Sequence, residues 1–153
     1  MSKAADIADL IRTRLITAPA VGEIETPVDL TDLPADSVIV DKQKDILTMA
    51  SKAVAKAKGT AIVILWDGHA IADKNAKRPR MDLSFTVSVW SRPVISGGVL
   101  AADDVMESII NRLWQWVPQG GHPNNEVVIR PGGLVPHKSF LIYDCGVIVP
   151  ASY

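Results

Sequence analysis

The sequence lacks several features that whole classes of protein depend on. It has one cysteine, Cys145, in 153 residues, so neither an internal disulfide framework nor a four-cysteine zinc site can form. No apolar run approaches the ~20 residues of a membrane-spanning helix, and the N-terminus lacks the basic-then-apolar pattern of a signal peptide. These absences lead us to expect a reducing, intracellular setting.

The chain also has little net charge and few aromatic residues. The formal net charge is −1, which excludes a general nucleic-acid-coating protein but leaves room for a local basic patch. Aromatic residues make up 5% of the chain, yet four of them are tryptophan, a residue of interfaces as well as cores. The hydrophobic fraction of 48% is enough for the core of one soluble domain, which we expect to span residues 1–153.

No catalytic constellation is recognisable in the sequence. No two of the three histidines have the i, i+4 spacing of a helical metal pair; they are His69, His122 and His137. Asp67 and His69 flank Gly68, but an Asp-Gly pair is more often a turn than part of a site. Cys145 falls within an apolar strand pattern, where a buried and inert thiol is the ordinary outcome. We therefore expect no catalytic residue, no cofactor and no metal.

Three segments have the apolar periodicity of helices. The first is Lys3–Ile16, which has apolar residues along one arc. The second, Lys42–Lys58, has a narrow stripe of small residues, and we interpret its many lysines as a solvated face. The third, Ala101–Val117, has a wide core-facing stripe that includes Leu113, and Trp114 falls just outside it.

The chain is organised around two strands and the segment between them. Ala61–Trp66 is apolar without alternation, which is typical of a strand covered on both faces. Leu83–Arg92 alternates apolar and polar side chains, so it should bury one face and leave the other to water or a partner chain. Gly68–Asp82 predicts a long structureless loop that projects from the domain. This loop carries the cations Lys74, Lys77, Arg78 and Arg80.

The remaining segments complete an α+β fold. Ala18–Asp41 is rich in proline and should run along the surface with one short edge strand at most. Glu126–Arg130 and Ser139–Val149 predict two strands joined at Pro131-Gly132-Gly133, and Pro150 closes the domain. The order of elements predicts a mostly antiparallel sheet of about four or five strands, with helices packed mainly on one face.

The basic segment Lys74–Arg80 leaves several functions open. It can be a solvated loop, a contact for an acidic protein surface, or a contact for passing nucleic acid, although no interleaved aromatic residue offers base stacking. Two alternatives therefore stand beside a structural role. One is a small metal-dependent or hydrolytic enzyme that uses Asp67 and His69, and the other is a nucleic-acid-binding module that uses this loop.

The layout of the chain resembles the tail terminator (tail completion) proteins of long-tailed bacteriophages. Three stretches carry the resemblance: the opening helix Asp6–Leu15, the strand pair Ala61–Trp66 and Phe85–Arg92 around Gly68–Asp82, and the helix Val105–Val117. The resemblance covers nearly the whole chain. It rests on the order and pattern of elements, because the family has no invariant chemical motif to carry over.

This resemblance implies a non-enzymatic structural protein of α+β fold. Such proteins form a ring, commonly hexameric, on the finished tail tube, where they stop tube polymerisation and present a surface to the head connector. The implied partners are copies of the same chain, the tail tube protein and a connector or neck protein. DNA would only pass through the lumen, and no membrane is involved. The implied location is the head-proximal end of the virion tail, after assembly in the host cytoplasm.

We expect five residues to bind these partners. Four are the cations of the predicted loop, which can match acidic groups on a tube or neutralise passing phosphate. The fifth is the tryptophan at the margin of the third helix. They are Lys74, Lys77, Arg78, Arg80 and Trp114.

Overall fold

The computed structural model describes residues 3–23, 25–41, 59–73, 80–92, 102–118, 126–137 and 140–152. Within these ranges the chain forms two α-helices, two short 3-10 helices and five β-strands. The helices are α1 (Lys3–Ile16) and α2 (Ala102–Leu113). The strands are β1 (Val38–Asp41), β2 (Thr60–Asp73), β3 (Arg80–Ser91), β4 (Val128–His137) and β5 (Phe140–Ser152).

The described strands form one mixed sheet in the order β1-β2-β3-β5-β4. All neighbouring strands are antiparallel except β1, which pairs in parallel with β2. Both helices pack on the same face, where their apolar stripes share a core with alternating strand residues such as Ile62, Phe85 and Val147. The predicted α+β fold is therefore confirmed, including its mostly antiparallel sheet with helices on one face.

The opposite face of the sheet carries a second, smaller cluster. It contains Ala61 and Val63 of β2, Trp90 of β3 and Phe140 of β5. The rings of Trp90 and Phe140 meet edge to face with centroids 5.3 Å apart. The prediction that β3 leaves this face open is therefore wrong at the Trp90 end of the strand. An alternating pattern identifies the two faces but not what covers each one.

The segment Gly68–Asp82 is not the long loop that the sequence predicts. β2 continues to Asp73 and β3 begins at Arg80, so the ladder between them includes most of the segment. The pairing slips between Trp66 and Gly68, which leaves Asp67 as the extra residue of a β-bulge. At a bulge the strand bends but its pairing continues. Polar and glycine residues of the kind found in turns can therefore lie within a strand. Residues 74–79 lie outside the described ranges.

A second predicted turn is also a bulge. β4 passes through Pro131-Gly132-Gly133 while staying paired with β5, and the register shifts between Pro131 and Leu134. A Cβ atom on Gly132 would lie 1.9 Å from the backbone oxygen of Asp144, so only glycine fits this close approach. Pro150 likewise does not end the sheet, because β5 runs on to Ser152.

The helix boundaries agree with the sequence in part. α1 spans Lys3–Ile16 as predicted, whereas α2 ends at Leu113 and not at Val117. Gln115 follows in the left-handed region with φ of 55°, and this conformation turns the chain away from the helix axis. The predicted helix Lys42–Lys58 lies outside the described residues.

The segment before β2 follows its prediction more closely. Ala18–Asp41 contains two short 3-10 helices and then β1, which is the last strand on its side of the described sheet. Arg12 of α1 donates hydrogen bonds to the carbonyl oxygens of Ala35 and Val38, at 2.8 and 2.7 Å. These bonds hold the segment against the first helix.

The rotation of α2 gives a direct stability test. Leu113 is fully buried and Trp114 is 52% exposed, as the sequence predicts. Leu113→Ala should lower the free energy of unfolding by about 2–5 kcal/mol, because it leaves a cavity, whereas Trp114→Ala should cost less than about 1 kcal/mol. Urea denaturation of both variants measures the difference. Equal losses would contradict the helix orientation described above.

Candidate interaction surface

The predicted basic site is only partly within the described structure. Lys74, Lys77 and Arg78 lie outside the described residues. Arg80 is the first residue of β3, where it stands opposite Asp73 of β2 and Ser152 of β5. Arg80 therefore belongs to the sheet and not to a structureless loop, because the strands extend further than the polar composition predicts.

Trp114, just after α2, and three residues of β4 are exposed apolar side chains. Among the described residues, three large apolar side chains of β4 are just over half exposed, as is Trp114. A backbone hydrogen bond of 2.9 Å from Val127 N to Trp116 O ties the chain after α2 to the start of β4. We call this set of exposed apolar residues the β4 surface, and its members are Trp114, Val128, Leu134 and Val135. Exposed aromatic and aliphatic residues of this kind are frequent at protein interfaces.

The outer edge of β4 is poorly suited to the addition of another strand. The N–H of Val127 is already used by Trp116 O. Pro131 and Pro136 have no N–H to offer, and the bulge between Pro131 and Leu134 interrupts the edge. These are the devices by which proteins protect sheet edges from uncontrolled pairing. A partner would therefore contact the side chains of the β4 surface more readily than its backbone.

The ends of α1 and α2 are joined by two arginines that cap each other's helix. Arg14 Nε donates to the carbonyl oxygen of Arg112 at 2.9 Å. Arg112 Nη2 donates in return to the carbonyl oxygens of Arg14 and Thr17, at 3.0 and 3.1 Å. Carbonyl groups in the last turn of a helix have no partner within that helix, so the exchange satisfies both ends.

Glu23 completes this network from the segment that follows α1. Its carboxylate accepts hydrogen bonds from Arg14, at 3.2 Å, and from Arg112. Arg112 is only 4% exposed, so Glu23 balances a buried positive charge. The guanidinium of Arg14 also lies 5.8 Å from the centroid of the Trp116 ring, close enough for a cation–π contact.

The network shifts the pKa values of Glu23 and Arg112. Burial raises the pKa of Glu23, but the charges of Arg14 and Arg112 and their hydrogen bonds more than offset this, so the pKa lies below its ordinary value of 4.5. The pKa of Arg112 also lies below its ordinary value. Burial is the main cause and the charge of Arg14 adds to it, while Glu23 opposes the shift. Sequence reasoning missed this network, because nothing in the local pattern of Arg112 or Glu23 shows that they meet.

The two residues considered for catalysis, Asp67 and His69, both lie in β2. Asp67 accepts a hydrogen bond from Thr86 Oγ1, and His69 stands opposite Leu83 within the β2–β3 ladder. Within the described ranges, no group of three or more His, Cys, Asp or Glu residues could hold a metal ion. His137 is paired with Phe140 at the end of β4, and His122 lies outside the described residues.

Cys145 lies in β5 with its side chain in the core. Burial raises the pKa of its thiol to about 12, and the negative charge of Asp144 adds to the shift. The nucleophilic thiolate is therefore scarce at neutral pH. The prediction of a buried thiol is confirmed.

Comparisons with known proteins do not identify the chain: no protein-family model and no curated protein matches it. Among the helices that the structure describes, none is long and apolar enough to cross a membrane. Function is therefore inferred from the layout of elements and from the surface.

The Glu23 network predicts a dependence of stability on acid. A carboxylate with a depressed pKa in the folded state stabilises the protein above its unfolded pKa and loses this contribution as pH falls through the folded pKa. Glu23→Gln should therefore reduce the free energy of unfolding at about pH 7. The difference in this free energy between variant and wild type should narrow as the pH falls below 4.5, the ordinary pKa of the carboxyl group. Urea denaturation of wild type and variant across this pH range measures the difference. Glu107→Gln, at an exposed position of α2, is the control. A gap that is constant with pH would contradict the network.

The buried thiol predicts slow chemical modification. Cys145 in the native protein should react with iodoacetamide at least about 100-fold more slowly than in the urea-unfolded protein at the same pH, because both access and ionisation are restricted. Mass spectrometry of timed samples measures both rates. Equal rates would show that the thiol is exposed or activated.

Proposed function

We propose that this protein is a structural tail terminator of a long-tailed bacteriophage. In this role it forms a homo-oligomeric ring that caps the tail tube and contributes to the head–tail joint, and the resemblance implies six subunits. The observation that carries the proposal is the element order, in which α1, the long β2–β3 hairpin, α2 and the closing β4–β5 pair follow one another in an α+β fold. This is the order on which the resemblance rests.

The length of the central strands supports this role. β1 ends opposite Leu65 of β2, and β4 begins opposite Ile148 of β5. β2, β3 and β5 continue together beyond both points as far as Asp73, Arg80 and Ser152. The three strands thus reach about 13 Å past β4, at about 3.3 Å per residue. The described residues on either side of positions 74–79, Asp73 and Arg80, therefore lie beyond the end of β4. A basic contact at this end of the sheet would suit an acidic tube end.

The β4 surface supports the oligomeric part of the proposal. A ring subunit has to cover apolar area against its neighbours. Trp114 and the exposed apolar residues of β4 provide such area, and Trp is among the residues that contribute most at interfaces. An enzymatic role through Asp67 and His69 gains no specific support, since Thr86 already hydrogen-bonds Asp67.

The basic segment provides the functional test. Changing Lys74, Lys77, Arg78 and Arg80 together to Ser should weaken binding to tail tubes and yield tubes of abnormal length, because the charge match is lost. Folding should change little, since exposed charges contribute little to stability. Electron microscopy of tubes assembled with each protein measures their length, and circular dichroism checks the fold.

A charge-matched control separates this effect from a general change in net charge. The control replaces four lysines of the predicted second helix with Ser: Lys42, Lys44, Lys52 and Lys56. It removes the same charge and should leave tube length normal. Normal tube length with the first variant would exclude the basic segment from the mechanism, and wild-type protein that neither forms rings nor binds tubes would refute the proposed function.

A further inference from the structure

Residues 126–130, just before and at the start of β4, show a short pattern of alternating burial. Val127 is buried and Ile129 is half-buried, whereas Glu126, Val128 and Arg130 between and beside them are exposed. Successive side chains of an extended chain point to opposite faces, so the three exposed residues share one face. On this face, the negative Glu126 and the positive Arg130 lie on either side of the apolar Val128.

The apolar centre is wider than Val128 alone. Val128 is paired with Ile148 of β5, and directly paired residues of antiparallel strands lie on the same face. Ile148 is itself half-buried, and next to it stands Gly146, which has no side chain and is paired with Arg130. The centre is therefore an open apolar patch, flanked along the strand by one carboxylate and one guanidinium.

We propose that this patch, Glu126–Arg130, is a two-fold contact with a second copy of the same chain. A two-fold axis through Val128 reverses the direction of the segment. It places Glu126 opposite the partner's Arg130, and Arg130 opposite the partner's Glu126. The charged groups of one segment are separated by four residues, or about 13 Å in an extended chain, so both ion pairs form together around the paired valines. Charge complementarity thus selects a second copy as the occupant.

The contact is made by side chains and is weak. The Val127 N–H is already bonded to Trp116 O, and Pro131 follows directly after the segment, so continuous strand pairing across the axis is blocked. The patch is also far smaller than the roughly 800 Å² per partner of a standard stable interface. The dimer should therefore form only at high protein concentration and should weaken as salt screens the ion pairs.

This contact does not depend on the proposed function. The subunits of a tail-capping ring meet through two different surfaces, whereas a two-fold contact joins a surface to its own copy. The dimer is therefore a second mode of association, available to subunits that are not bound to a tube. Its presence or absence can be measured without any tail component.

Reversal of each charge tests the proposal. Sedimentation velocity of the full chain at increasing concentration and low salt gives the dimer dissociation constant for wild type, Glu126→Arg, Arg130→Glu and the double variant. Each single reversal sets like charges opposite each other twice and should weaken the dimer at least about tenfold. The double variant restores both ion pairs with exchanged polarity and should return to within about threefold of wild type. Asp103→Arg, on the exposed start of α2, is the control and should have no effect.

Three results would overturn the proposal. The first is a wild-type protein that stays monomeric at the highest concentration. The second is a dimer that the single reversals leave unchanged, and the third is a double variant that remains as weak as the single ones. Circular dichroism of each variant confirms that the fold is retained, so a loss of dimer is not mistaken for unfolding.

Discussion

The mutual capping of α1 and α2 by Arg14 and Arg112 is the constraint on which the helical layer depends. Each guanidinium satisfies carbonyl groups at the end of the other helix, groups that would otherwise be left unpaired near the core. The exchange holds the two C-terminal ends side by side, since neither helix can shift without breaking bonds at both ends. Glu23 then links the following segment to the same point and balances the buried charge of Arg112.

The position of the α2 end determines where the exposed apolar residues lie. Gln115 turns the chain in the left-handed region directly after α2, and Trp116 is bonded to Val127 just before β4. Trp114 lies between α2 and this turn, and β4 is the last described strand on its side of the sheet. The bulge and the prolines of β4 protect the backbone there and leave the side chains to make contacts.

The three central strands of the sheet extend beyond the strands at its two edges. β2, β3 and β5 are paired beyond the limits of β1 and β4, so Asp73 and Arg80, which flank residues 74–79, both belong to the paired sheet. A paired support restricts the positions that a contact can take and lowers the entropy lost when it binds. The exposed apolar residues of β4 and the far ends of the three long strands thus belong to one sheet.

The sequence by itself determined the features that depend on local periodicity. These include the limits of α1, the doubly covered strand Ala61–Trp66 and the exposure of Trp114 beside the buried Leu113, because apolar spacing along one element decides which side is buried. The tertiary structure alone decided the remainder. The polar residues after Asp67 and the Pro131-Gly133 stretch have turn composition, yet they lie in strands because neighbouring strands supply partners across bulges. Arg112 and Glu23 meet from distant parts of the chain, and no local pattern encodes a contact that exists only once both helices are packed.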